Sequence, residues 1–244
     1  MSVFCNIVAD QTSITMNAII TGATRGIGKA IALKLAEHGY NLAVCSRNSQ
    51  ELEKFAEELK HTGARILTVK ADCSVKADVY AFCDAVREQF GTVDVLVNNA
   101  GTYLPGLLLD EADDRLEIQL NLNLNAAYYL SKYFGKMMRE RASGHIFNIC
   151  SIASKAVVEN GGSYSVTKSA LLSLNDVLRE ELSKHNVKVT AILPGSTLTS
   201  SWEGTKIPAE RFVLPEDIAS SLYTVLNLSK GVNVDEIVLK PVQF

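Results

Sequence analysis

The chain is poor in the features that would place it outside the cell, in a membrane or on a nucleic acid. It has five cysteines in 244 residues. Their odd number, wide spacing and lack of any Cys-x-x-Cys pair argue against a disulfide framework and point to reduced thiols in a cytoplasmic setting. Cys45 and Cys150 each sit in an apolar run that reads as a buried strand, where a thiol behaves as a small hydrophobe and not as a nucleophile. Four histidines, His38, His61, His145 and His185, show no metal-ligand spacing, so no metal site is expected. No apolar run approaches the roughly 20 residues that cross a bilayer. The start of the chain also lacks the basic residues and apolar centre of a secretion signal. Basic residues are not in excess. The net charge is −3 and the isoelectric point near 5.9, which argues against nucleic acid or an anionic membrane as the main partner.

What the chain does have is regular alternation of short apolar runs with amphipathic stretches, at 47% hydrophobic residues overall. Strands are expected at 18–20, 41–45, 66–69, 93–97, 145–149, 188–192 and 236–239, with helices near 27–38, 49–62, 76–90, 111–140, 163–185 and 215–228. This is the pattern of an α/β fold in which a seven-stranded parallel sheet lies between two helical layers. Gly39, Gly63 and Gly91 read as helix stops, and Pro215 with Glu216 and Asp217 as a helix start. Residues 1–15 read as an extension, disordered or lying ahead of a physiological start at Met16, and 16–244 as one domain. The helix near 163–185 carries a broad apolar arc through Val166, Ala170 and Val177 and through Leu171, Leu174, Leu178 and Leu182. Two readings of that arc stand: a subunit contact in a homodimer or homotetramer, or a helix buried under loops.

Gly22, Gly26 and Gly28 fall where the first strand turns into the first helix. There the backbone can approach a pyrophosphate, and helix amides point at its charge. After the second strand, an acidic residue would hold the ribose hydroxyls of NAD(H). This chain has Ser46-Arg47 instead, and Arg25 stands in the glycine turn. Two guanidinium groups suit a 2′-phosphate, so NADP(H) is expected over NAD(H), the lesser alternative for either arginine being a solvated surface charge. Tyr164 and Lys168, four apart, share one helix face, with Ser151 thirteen residues upstream of the tyrosine. By themselves they would read as an amphipathic pair at a rim. Beside a phosphate-binding turn they describe a hydride-transfer site, in which the lysine ammonium is expected to favour the tyrosinate.

In order and spacing these motifs resemble the short-chain dehydrogenase/reductase family, with its Rossmann-type three-layer sandwich, over nearly the whole chain from Met16. The family's Thr-Gly-x-x-x-Gly-x-Gly matches 21–28, so the resemblance puts Thr24 and Ile27 with the glycines and Arg25 against the cofactor. Its adenine-contacting acid matches Asp72, with Cys73 beside it, and its Asn-Asn-Ala-Gly matches Asn98-Asn99-Ala100-Gly101. Its later Pro-Gly-x-x-x-Thr segment matches Pro194, Gly195 and Thr199. Thr199 is thereby expected to fix the carboxamide of nicotinamide, with Ser196 or Thr197 assisting. The catalytic asparagine, serine, tyrosine and lysine align with Asn123, Ser151, Tyr164 and Lys168. Asn121, Asn123 and Asn125 alternate, a spacing that suits neither a strand nor one helix face, and the family register favours Asn123, which there distorts the helix and holds a water.

The resemblance implies reduction of a ketone or aldehyde, with Tyr164 giving the proton, Ser151 bonding the same oxygen, and Lys168 joining a relay through ribose and an Asn123-bound water. Specificity is expected from 196–214 and from the residues after Ser151. Tyr103, Val157 and Val158 are candidates for the pocket wall, and Trp202 either covers the substrate or packs the loop. Two substrate readings stand: a 3-oxoacyl thioester or acyl-carrier-protein conjugate, and a sepiapterin-type pteridine. The second is drawn from 143–147, 198–202 and 234–241. A non-catalytic dinucleotide sensor should have lost a catalytic position, and none is lost.

Overall fold

The computed structural model describes residues 15–243. Seven strands form one parallel sheet: β1 (Asn17–Thr21), β2 (Asn41–Ser46), β3 (Ile66–Lys70), β4 (Val95–Asn98), β5 (Gly144–Ile149), β6 (Val187–Pro194) and β7 (Glu236–Leu239). They lie in the order β3-β2-β1-β4-β5-β6-β7, every neighbouring pair parallel. The strands read as near-continuous apolar runs because both faces are covered. Ala18, Ile20, Leu42, Val44, Val95 and Val97 point to one side, against α1 (Gly26–Glu37), α2 (Ser49–Leu59) and α7 (Pro215–Leu226). Ile19, Ala43, Leu96 and Ile146 point to the other, against α3 (Lys76–Phe90) and α5 (Ala126–Arg141). Phe82, Phe134 and Met138 are completely enclosed there. Truncating Phe134 to alanine would remove about 3–5 kcal/mol from this layer.

The expected elements are present, with one correction of substance. The helix read over 111–140 is broken into α4 (Arg115–Leu120), a π-helical turn (Asn121–Asn125) and α5, and residues 111–114 belong to a loop. Strand β4 begins at Val95, later than expected; just ahead of it the Asp94 carboxylate accepts from the Asn17 amide at 2.8 Å and pairs with Arg141 at 3.0 Å. On α6 (Gly162–Ser183) the apolar arc divides. Leu171 and Leu182 are buried, whereas Val166 and Val177 are about half exposed. The extension read over 1–15 lies, except for Thr15, outside the described residues. None of the described helices is long and apolar enough to cross a membrane, and no metal-ligand cluster occurs among the described residues.

Candidate active site

Strand order reverses between β1 and β4, and there the carboxyl ends of the strands open a crevice. One hydroxyl joins its two lips. Thr21 Oγ1 accepts from the amides of Asn99 and Ala100, both at 3.0 Å. The Asn99 side chain returns the contact, donating to the carbonyls of Thr21 and Gly22 at 2.9 and 3.1 Å. Behind it, Asn98 donates to Asn148 Oδ1 at 2.8 Å and to Ser131 Oγ at 2.9 Å, fixing β4 to β5 and α5.

The glycine turn shows why its residue types are required. Gly22 and Gly26 have φ of 65° and 54°, in the left-handed region. A Cβ on Gly28 would collide with the Gly22 carbonyl oxygen and the Asn99 amide group. The turn can therefore press against the crevice and present the first amides of α1 to an anion. In front of it lies a cleft of about 670 Å³. It brings together Gly22, Thr24, Arg25, Gly26 and Ile27 with Ser46 and Arg47, and, farther along, Asp72, Cys73, Asn99, Ala100, Gly101 and Thr199. Gly28 stands beneath the turn and not in the cleft wall. Pro194, Gly195 and Thr197 also lie outside that wall; Thr197 is buried and donates to the Gly195 carbonyl at 2.9 Å. The set fits a dinucleotide: a glycine-lined turn at a helix N-terminus, and basic groups at the far end. Arg25 is exposed, and among the described residues its side chain has no charged partner. Arg47 faces Asp72 at 4.0 Å, while the other Asp72 oxygen holds its own turn through Ser74 N and Oγ at 2.9 and 2.7 Å.

Sequence reasoning passed over Glu51, which lines the same cleft. It sits at the third position of α2, where an acid reads as no more than a complement to the helix dipole. Its carboxylate accepts instead from Thr24 Oγ1 at 3.0 Å and, more loosely, from Ser46 Oγ at 3.5 Å. The carboxylate thus clasps the glycine turn to the end of β2, through the residues that immediately precede Arg25 and Arg47.

Asn123 and Lys168 reach the inner end of this cleft from behind Gly101: a Cβ there would lie 3.2 Å from Asn123 Oδ1 and 3.6 Å from Lys168 Nζ. The π turn buries Asn123, whose side chain is fully engaged. It accepts from Thr102 N at 2.7 Å and donates to Thr102 O and Thr167 Oγ1, both at 3.0 Å. Thr167 in turn donates to the Tyr164 carbonyl at 2.9 Å, so the π turn, the loop at Thr102 after β4 and the start of α6 are one bonded unit. Neither Thr102 nor Thr167 has a sequence signal beyond adjacency to Gly101 and Lys168. Lys168 donates to the Ile149 carbonyl at 2.8 Å. Ser151, next to the end of β5, accepts from Ala153 N at 3.1 Å, which leaves its hydroxyl proton to point elsewhere.

The charges do not balance as the sequence suggests. Burial raises the Tyr164 phenol above its ordinary value, hydrogen bonding to Ser151 opposes that rise, and the nearby Cys150 adds to it. Burial likewise lowers the Lys168 ammonium. Lys168 Nζ lies over the Tyr164 ring face, 5.9 Å from the centroid.

On the substrate side, Tyr103 stands edge-on to Tyr164, centroids 4.8 Å apart, and donates to the Asn160 carbonyl at 3.3 Å. Val158 is half-buried. Val157 is 93% exposed. Trp202 packs edge-on against Phe212 at 5.0 Å, the contact expected of a residue holding its loop down.

Residues 16–207 match the family model described as short chain dehydrogenase. An oxidoreductase of Staphylococcus aureus is 34% identical over 226 residues, covering 92% of this chain and 96% of that protein. Among solved structures, the alcohol dehydrogenase of the archaeon Thermococcus sibiricus, complexed with 5-hydroxy-NADP, is 32% identical with a TM-score of 0.86, covering 93% of this chain and 97% of its own. The L-sorbose reductase of Gluconobacter frateurii, complexed with NADPH and L-sorbose, is 30% identical with a TM-score of 0.85, covering 93% and 95%.

Proposed function

The chain belongs to the short-chain dehydrogenase family and is an oxidoreductase, and on this premise we propose that it reduces a small ketone or aldehyde to the alcohol with NADPH. The observation that carries the reading is the glycine-lined cleft that reaches Gly101, with Asn123 and Lys168 standing directly behind that glycine and Tyr164 hydrogen-bonded to Ser151. When bound, NADPH supplies the hydride. The amides behind Gly22 and Gly26 hold its pyrophosphate, Arg25 and Arg47 its 2′-phosphate, Asp72 its adenine, and Thr199 its carboxamide end. NADP-type complexes of two compared proteins support the preference over NADH.

Tyr164 donates its proton to the carbonyl oxygen as negative charge develops there, and Ser151 bonds the same oxygen. The raised phenol keeps Tyr164 protonated at neutral pH, the form an acid must start from. Lys168, held on the Ile149 carbonyl, positions the nicotinamide ribose. Asn123 fixes Thr102 and Thr167, and with them the wall on which a proton relay runs back to solvent. Tyr103 and Val158 flank the substrate, Trp202 holds the 196–214 segment, and the exposed Val166 and Val177 of α6 support a homodimer or homotetramer. Four free cysteines among the described residues accord with the cytoplasm.

Initial rates with NADPH against an acetoacetyl thioester, sepiapterin and simple diketones test the reading. Turnover of one of them, with kcat/KM for NADPH exceeding that for NADH, is expected. No turnover of any supports a non-catalytic protein, and equal or better use of NADH overturns the cofactor preference.

A further inference from the structure

Two cysteines that look unrelated in sequence meet in the wall of the cofactor cleft. Cys45, at the end of β2, and Cys73, in the turn after β3, place their sulfurs 3.5 Å apart, and both line the cleft. Cys45 is buried while Cys73 is only half-buried. Cys73 belongs to the turn in which the Val75 amide donates to the Asp72 carbonyl at 2.9 Å, and Asp72 in turn faces Arg47.

We propose that Cys45 and Cys73 form a redox modification site, whose oxidation to a disulfide closes the adenosine end of the cleft. The proposal rests on the reading of that cleft as the NADPH site. A small disulfide such as oxidised glutathione is the oxidant. The Cys73 thiolate attacks one of its sulfurs, expelling one thiolate and leaving a mixed disulfide. Cys45 then gives its proton to solvent as its sulfur attacks Cys73 Sγ, and the second small thiolate departs. Two protein thiols are oxidised, and one small disulfide is reduced to two thiols. The order of attack follows from access and from the thiol proton: hydrogen bonding to Cys73, followed by burial, holds the Cys45 thiol well above the usual range. Cys83, buried behind them in α3 with its thiol pushed up to about 12 by burial, is the other sulfur nearby and is excluded as the attacker. Bringing the sulfurs from 3.5 Å to the bonded distance of about 2.05 Å draws the 72–75 turn toward β2, and Asp72 moves with it. The linkage runs both ways, so bound NADPH shields the pair.

The reduced full-length enzyme is incubated with oxidised glutathione, with and without NADPH. Intact mass and a non-reducing peptide map then read the thiols, and cofactor fluorescence reads the NADPH dissociation constant. The expected result is a Cys45–Cys73 cross-link, slowed by NADPH, with affinity weakened about tenfold and restored by dithiothreitol. Cys73→Ser and Cys45→Ala are each compared with themselves before and after the oxidant: Cys73→Ser should not change, whereas Cys45→Ala should stop at the Cys73 mixed disulfide, seen as one added glutathionyl group with no cross-link. No cross-link, a Cys45–Cys83 link, or a cross-link that leaves affinity unchanged overturns the proposal. If the reduced protein does not bind NADPH at all, the cofactor reading falls; the role in closing the site falls with it, while the peptide map still decides whether the two thiols pair.

Discussion

The two walls of the cleft are made of different material. On the phosphate side, Thr21 and Asn99 bond side chain to backbone, and one side-chain atom serves two partners, as Thr21 Oγ1 does for Asn99 and Ala100 and Asn99 Nδ2 for Thr21 and Gly22. On the substrate side the contacts are between rings and loops: Tyr103 on Tyr164, Trp202 on Phe212, with Val157 and Leu109 standing in solvent. A wall of short polar groups tolerates no added atom, whereas a wall of long side chains can be exchanged without disturbing the sheet beneath. The difference separates what every substrate needs from what one substrate needs.

The sharpest break between the walls should come from Tyr164→Phe. It removes one oxygen on the reacting side, and kcat should fall about a thousandfold while NADPH affinity, read by fluorescence titration, stays within about twofold. A parallel collapse of affinity would mean that the walls are not separable. Gly28→Ala strikes the opposite wall, pushing a methyl into Gly22 and Asn99. It should cost about 1–3 kcal/mol of stability and weaken NADPH binding; a variant with wild-type melting and affinity would show that the turn has slack.

Acid tests whether the walls belong to one cooperative unit. His145 lies on β5 at the end of the sheet opposite the site, stacked on Phe147, and burial lowers its imidazole from 6.5 to about 3. The unfolded chain therefore binds a proton that the folded chain refuses, so the stability it contributes is present above pH 6.5 and is lost as pH falls toward 3. At about pH 5 the loss is about 2 kcal/mol, and His145→Leu should flatten it. Trp202 is the only tryptophan, so its fluorescence reports the substrate wall while far-UV circular dichroism reports the helices packed on the sheet. Coincident acid transitions are expected; an earlier tryptophan transition would show the substrate wall melting by itself.

The smallest effect should be at Glu51. Its carboxylate stands in the cleft beside the arginines that are proposed to hold a 2′-phosphate, and Glu51→Gln removes that like charge while keeping a partner for Thr24. The ratio of NADPH to NADH affinity should rise severalfold, on the order of 1 kcal/mol. A fall would mean that the clasp on Thr24 and Ser46 matters more than the charge.

How much of this is legible in the sequence follows the same division. The glycine turn and Asn98-Asn99 can be read because their demands fall on residue type: no other side chain fits at Gly28, and the short amides of Asn98 and Asn99 each donate to two partners. The strands are legible because helices cover both faces and the apolar runs are uninterrupted. Glu51 is not, since an acid at a helix start looks alike whether it faces solvent or clasps Thr24. Nor is the meeting of Cys45 with Cys73, which depends on where a turn after β3 falls beside β2. The placement of Lys168 Nζ over the Tyr164 ring is not legible either, because spacing places two residues on one face without saying which atoms face each other.

The three alternating asparagines, which suit no regular element, have a geometric cause. Each residue advances an α-helix by about 100°, and the wide turn at Asn121–Asn125 inserts one. Everything on α5 is therefore rotated by that amount relative to α4. Deleting one asparagine would let the backbone heal into an unbroken helix, a better helix by any local measure. It would also swing Gln119 away from Ser163, to which it donates at 2.8 Å, or carry Phe134 and Met138 off the sheet. The site is encoded there as a phase angle between two halves of one rod, which no single side chain carries and which a one-residue deletion would erase.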